Sequence, residues 1–163
     1  MPRIGLWPAD EKVGIPPLAV HVGLALAQLS SSTVAFVDAN LRWPATRALE
    51  QQGDLMGEKD SDQSYRTLWL RDMLALLIPR EVGRAGESMA ALASALYAGR
   101  DLFGHMLVDL TGFERIGDHL NVVDLLNGVA IVATTGKVRE HRLLEMERQL
   151  PEHRRAGVIL VGG

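Results

Sequence analysis

Short apolar runs alternate along this chain with longer segments in which apolar residues recur every three or four positions. The runs are Arg3 to Trp7, Thr33 to Asp38, Leu74 to Ile78, Met106 to Leu110, Gly128 to Thr134 and Gly157 to Val161. Too short for helices and apolar almost throughout, each reads as a strand buried on both faces. A helix is expected from about Ile15, with Pro16 and Pro17 in its first turn, where proline is tolerated. Its spacing places Leu18, Val22, Ala25 and Leu29 toward the sheet, and Ser30-Ser31-Ser32 ends it. Ser88 is expected to cap a second helix carrying Met89, Leu92 and Leu96 on one face. Residues 115–127 predict a third. A charged helix from about Val138 keeps Leu143, Met146 and Leu150 together until Pro151 stops it. A short helix is expected around Thr46 to Gln51. The polar, glycine-bearing run Gly53 to Ser64 reads as a mobile loop, and Leu68-Trp69-Leu70 is an apolar island with no element assigned.

Fully apolar strands alternating with amphipathic helices predict an α/β fold: a doubly wound, mostly parallel sheet flanked by helices. Residues 3–38 alone have the size of one βαβ unit. At 163 residues, with no repeat or low-complexity tract, the chain is expected to form one domain, 1–163.

Composition narrows the function classes. Apolar content of 47% with 23% charged residues is that of a globular chain. A net charge of −3 and the lack of any Lys/Arg run argue against a nucleic-acid partner. The absence of cysteine removes disulfides and thiolate metal sites. His21, His105, His119, His141 and His153 show no ligand spacing, so no metal site is expected. No apolar stretch reaches the ~18 residues that a membrane span needs. The chain enters its first strand with no signal peptide, so the expected location is the cytoplasm.

Candidate chemistry begins where Val34-Ala35-Phe36-Val37 ends in Asp38. The carboxyl ends of strands are where open α/β sheets bind ligands. Asn40 and Arg42 follow at two-residue intervals, and Pro44 closes the segment. Val108-Asp109 repeats the arrangement. Each acid either organises a metal ion and water or merely accepts hydrogen bonds from a neighbouring turn. Arg42 pairs with Asp38, pairs with a partner chain, or stays in solvent. Trp43, Trp69 and Leu68 are expected in the core in preference to an interface patch. Gly136-Lys137 follows the fifth strand and is weak evidence for a base or phosphate contact. The Arg/Glu-rich segment 139–148 reads as a solvated face with i,i+4 pairs.

The stretch from Val34 to Pro44 resembles the second acidic motif of the MinD/ParA-like P-loop ATPases. It is most similar to the bacterial tyrosine kinases of capsule and exopolysaccharide synthesis, whose pattern is apolar residues followed by Asp-x-Asp-x-Arg. Here Asn40 stands in place of the second Asp. Counting back from Ala25-Leu26-Ala27-Gln28, which resembles the family's helix end, puts Gly14 on the last glycine of the phosphate loop. Ile15 then stands on the phosphate-binding Lys, Pro16 on the Mg²⁺-binding Thr, and His21 where Asn is usual. Val108-Asp109 resembles the Walker B strand, with Leu110-Thr111-Gly112 replacing Thr-Pro-Pro. Gly157 to Val161 is similar to the late strand that leads to an Asn, and Gly162-Gly163 stand there instead. The two tyrosines, Tyr65 and Tyr97, form no cluster like the family's tyrosine-rich tail. The resemblance implies a P-loop NTPase-like, Rossmann-like three-layer fold. It also implies that Lys12, Gly14, Asp38, Asn40, Arg42 and Asp109 line the nucleotide side.

The loop chemistry argues against catalysis. A phosphate cradle needs consecutive backbone N–H groups at a helix N-terminus and a Lys for charge. Pro16 and Pro17 have no N–H, Ile15 has no charge, and Asp10 and Glu11 add negative charge. Each lost charge-assisted bond weakens binding by about 1.5–3 kcal/mol, and every 1.4 kcal/mol or so is a factor of ten. Lys12 could restore charge but cannot replace the Thr hydroxyl on Mg²⁺. No cofactor and no ATP hydrolysis are therefore expected, with Asp38 and Asp109 as relic acids. The leading expectation is a pseudo-ATPase kept as an interaction or regulatory component of exopolysaccharide synthesis or export. What the resemblance implies for its setting is the inner face of the membrane and a membrane-embedded polysaccharide co-polymerase or export protein as partner. It further implies homodimerisation across the old nucleotide face. The alternative is an active ATPase or tyrosine kinase in which Lys12, Asp38 and Asp109 hold ATP and Mg²⁺. A third reading, a Rossmann-like small-molecule binder, lacks a Gly-x-Gly-x-x-Gly loop after the first strand.

Overall fold

The computed structural model describes residues 1–40, 44–48, 56–60, 64–80, 87–116 and 120–162. Arg42, Trp43 and His119, named above, lie outside them. The described residues form eight strands: β1 (Arg3–Pro8), β2 (Val34–Asp38), β3 (Met56–Asp60), β4 (Tyr65–Leu70), β5 (Leu74–Pro79), β6 (His105–Asp109), β7 (Gly128–Thr134) and β8 (Arg155–Val161). Helices α1 (Ile15–Ser30), α2 (Ser88–Ala98), α3 (Phe113–Ile116) and α4 (Glu140–Gln149) connect them, with short 3₁₀ turns at Ala45–Ala48 and Asn121–Leu125. All strands join one sheet in the order β3-β4-β5-β2-β6-β1-β7-β8. The core from β5 to β8 is parallel, and β4 runs antiparallel to both β3 and β5.

The six strands read from the sequence are all there, five of them inside the sheet. The sixth, β8, is its edge and is mostly exposed, with Val158 at 45% and Leu160 at 63%, against the expectation that it is buried on both faces. Every residue of β2, β5 and β7 is buried. One core cluster packs the sheet against α2, α3 and α4, through Leu92, Leu96, Phe113 and Met146. The other packs the opposite face against α1, through Ile15 and Ala19. This is the expected doubly wound, three-layer arrangement.

Four expectations need correction. The Gly53 to Ser64 run contains strand β3, whose Met-Gly-Glu-Lys-Asp sequence has no apolar alternation to announce it. The Leu68-Trp69-Leu70 island is the end of β4, joined to β5 by a tight turn with Arg71 and Asp72 at φ 54° and 53°. That left-handed turn is normally made by Asn or Gly, so it carried no turn signal. Trp69 and Leu68 are partly buried and pack against the two core clusters, as the core reading of these residues holds. Helix α1 buries Ile15, Ala19, Gly23 and Ala27, while Val22 is 36% and Leu29 86% exposed. The inward stripe is the one with small side chains, because it brings the helix close to the sheet: a Cβ on Gly23 would lie 2.8 Å from Leu74 Cδ1. Ser88 starts α2 but makes no capping hydrogen bond, and its hydroxyl is buried without a partner. The expected helix over 115–127 is reduced, in its described part, to α3 and a 3₁₀ turn. Among the described residues no helix is long and apolar enough to cross a membrane.

Candidate functional site

The strand order reverses around β1, which lies between β6 and β7 although the chain leaves it for β2. A crevice opens there beyond the carboxyl ends of the strands, the position such sheets reserve for ligands. It measures about 390 Å³ and is lined by the loop after β1, by Asn40, by Leu110 to Gly112, and by Glu114, Arg115 and Arg142.

The loop after β1 is closed on itself. Asp10 Oδ1 accepts the Lys12 N–H at 2.9 Å, and Oδ2 accepts the Thr134 N–H at 3.2 Å. The Val13 N–H turns back to the Asp10 carbonyl, and the Ala9 N–H goes to Val132. A carboxylate of the chain itself thus occupies one amide of the loop and one at the end of β7, where an anion would be sought. The start of α1 is closed too. Ile15 N–H donates to the Val13 carbonyl at 3.2 Å and Leu18 N–H to the Gly14 carbonyl at 3.3 Å, while Pro16 and Pro17 have none to give. Ile15 and Pro16 are buried, Ile15 completely. Gly14 sits at the N-cap with φ −81°, a conformation open to any residue, and Lys12 is exposed. The residues present therefore do not fit a phosphate cradle with its Mg²⁺.

Asp38 and Asp109 end adjacent parallel strands and are register partners. Both are fully buried. Asp38 Oδ2 accepts the amide and hydroxyl of Thr46, both at 2.8 Å, and Oδ1 accepts the Asn40 amide at 3.1 Å. Asp109 Oδ1 accepts the Thr111 amide at 2.8 Å and hydroxyl at 2.5 Å, while its Oδ2 has no partner. Burial raises the pKa of Asp38 against these hydrogen bonds, chiefly those from Thr46. Burial first, and then the neighbouring charge of Asp38, push Asp109 up to about 7. Asn40 ties the two strand ends together by donating its side-chain N–H to the Thr111 carbonyl at 2.9 Å. Gly112 is at φ +80°, and a Cβ there would lie 2.4 Å from Asn40 Nδ2.

Of the residues named from the sequence, the structure brings Asp38, Asn40 and Asp109 together and leaves Lys12 and Gly14 in the loop after β1, outside the crevice lining. Sequence reasoning missed Thr46, the Asp10–Thr134 bond, Arg115 and Arg142. The Asp10-Glu11-Lys12 stretch could have been read as an Asx-turn. The others come together only through the fold. Among the described residues, no three His, Asp or Glu side chains gather to hold a metal.

The fold is that of a group of P-loop ATPases and kinases. The VpsO kinase domain superposes with a TM-score of 0.75 at 16% identity, over 99% of this chain and 85% of that one. The kinase domain of the Escherichia coli tyrosine kinase ETK gives 0.75 at 18%, over 99% and 67%. The cell division protein MinD of Aquifex aeolicus gives 0.63 at 15%, over 99% and 69%. No protein-family model matches the sequence, and no curated protein matches it. The fold implied by the Val34–Pro44 resemblance is thus confirmed. These neighbours also correct the expectation that no cofactor belongs to the site: kinase domains and a ParA family ATPase are built on this same sheet.

Proposed function

We propose that this chain is a catalytically degenerate counterpart of the tyrosine-kinase and MinD-like ATPase domains whose fold it shares, serving as an interaction or regulatory component. The observation that carries the reading is the first turn of α1. Its amides are bonded within the chain or absent, and buried Ile15 and Pro16 stand where charge and hydroxyl would be needed. Phosphoryl transfer is catalysed almost entirely by positioning and charge around the transferred group, so losing these contacts removes turnover while the fold persists. The reading concerns turnover and not occupancy of the crevice.

The setting we propose is exopolysaccharide synthesis or export at the inner face of the membrane. The chain would act there as one domain that pairs with a second copy and docks on a membrane-embedded co-polymerase or export protein. Support for this setting is the Asp38-x-Asn40-x-Arg42-x-Pro44 motif and its likeness to the kinases of that process. Sedimentation of the purified protein, alone and with the cytoplasmic segments of a co-polymerase, tests it. Self-association or complex formation is expected. A strictly monomeric species that binds no such segment contradicts the interaction role.

A further inference from the structure

The two edges of the sheet differ in kind. At one edge β3 carries Glu58, Lys59 and Asp60 in its sequence, and its ladder with β4 shifts register between Met56 and Glu58. Charges and irregularities of this sort keep an exposed edge from pairing with other chains. At the other edge β8 is bonded to β7 on its inner side, and among the described residues no strand pairs with its outer side. Gly157-Val158-Ile159-Leu160-Val161 holds no charge and no proline. The register shift of the β7–β8 ladder lies at its start, between Val129 and Ala130, so the ladder is regular from Gly157 to Val161. Such an edge offers a row of backbone donors and acceptors to another strand.

The side chains fit a second copy of the same strand. Side chains alternate between the faces of a strand. Val158 is the register partner of buried Ile131, which places Val158 and Leu160 on the face that α4 covers, and both are exposed. Ile159 and Val161 stand on the face of α1, partly buried against its cluster. Antiparallel pairing centred on Ile159 sets Val158 of one copy opposite Leu160 of the other, and Gly157 opposite Val161. No charge meets a charge, and the apolar pairs are of the kind that stabilise a sheet. The nearest charged groups, Arg154 and Arg155, are turned back onto their own chain, where they donate to the Leu126 and Leu150 carbonyls.

We propose that β8 is the self-association surface of this chain, pairing antiparallel with β8 of a second copy to join two eight-stranded sheets into one. The proposal deepens the previous reading and rests on it in taking the partner to be a second copy. It puts the contact at the sheet edge, since β8 supplies none of the residues that line the crevice. The pair is closed, because the outer edges it leaves are the two charged β3 strands.

Sedimentation of the whole chain over a concentration series, with amide hydrogen exchange on the same samples, tests it. A monomer–dimer equilibrium without larger species is expected, and amides within Val158 to Val161 should gain protection as the dimer forms. Val158→Lys and Leu160→Lys alter exposed side chains and bring like charges together at the contact. Each should weaken dimerisation about tenfold or more, while Arg115→Ala at the crevice mouth should leave it unchanged. A dimer indifferent to both lysine variants, with no added protection in β8, overturns the proposal and leaves pairing through another face, and so the previous reading, standing. A chain that is monomeric at every concentration overturns it as well, and binding of co-polymerase segments, measured separately, then decides the previous reading. Protection of β8 that arises only when such a segment is added overturns the proposal and assigns the edge to that partner.

Discussion

Asp38 and Asp109 face each other across neighbouring parallel strands, in register and without solvent contact. Two carboxylates buried this closely resist ionising together, and Asp109, with one oxygen unpartnered, is the one that keeps its proton toward neutral pH.

A pH dependence of stability follows. Asp109 has a folded pKa near 7, above its ordinary value of 3.8. The folded state therefore holds a proton that the unfolded state has lost between those limits. The stabilisation is fully present below about pH 4 and is lost as pH rises through about 7, with a slope approaching 1.4 kcal/mol per pH unit. Asp109→Asn removes this slope. Urea unfolding at several pH values should show the variant gaining on the parent from pH 4 upward and exceeding its stability by about 1–3 kcal/mol at pH 8.

Thr46 holds the other acid through both its amide and its hydroxyl. Thr46→Val keeps the shape and the amide but deletes the buried hydroxyl donor. A loss of about 1–3 kcal/mol is expected at neutral pH, measured by urea unfolding. It should shrink below the pH at which Asp38 protonates.

Gly112 combines a left-handed backbone with a Cβ direction blocked by Asn40. Gly112→Ala should cost about 1–3 kcal/mol and displace the Asn40 side chain from the Thr111 carbonyl. The side-chain amide resonance of Asn40 in a nitrogen-15 correlation spectrum would report that displacement directly.

Ile15→Lys, the change that would write the missing lysine into the loop, should fail as a repair. Ile15 is completely buried in the cluster beneath α1, so the variant loses packing and buries a charge. A cost of about 3 kcal/mol or more is expected, with no gain in ATP turnover. Thermal denaturation and a phosphate-release assay on the same preparation check both halves.

Much of this architecture is legible in the sequence, for a physical reason. The strands β1, β2, β5, β6 and β7 are apolar runs that a doubly covered sheet explains, and the acid ending β2 and β6 marks the carboxyl edge; β8 reads the same way in sequence but lies exposed at the sheet edge. What escaped reading was whatever is decided by packing or by distant partners. The inward face of α1 was misread because large apolar residues outrank Ala19 and Gly23 on hydropathy, while proximity to Leu74 favours the small ones. Strand β3 is polar, and its neighbour's turn puts Arg71 at a left-handed position that Arg seldom adopts. Thr46 lies eight residues from Asp38 and Thr134 lies 124 from Asp10, separations that no local pattern encodes. The blocked first turn of α1 was legible throughout, since prolines lack N–H groups in any fold.

The central claim is that this sheet retains its acids and has lost its phosphoryl chemistry. Single-turnover phosphate release from ATP and Mg²⁺, with the protein in excess and Asp109→Asn in parallel, tests it most directly. The account predicts release at the rate of the protein-free control for both proteins, whether or not nucleotide is bound. Release above the control that disappears in Asp109→Asn would contradict it and make the chain a working ATPase.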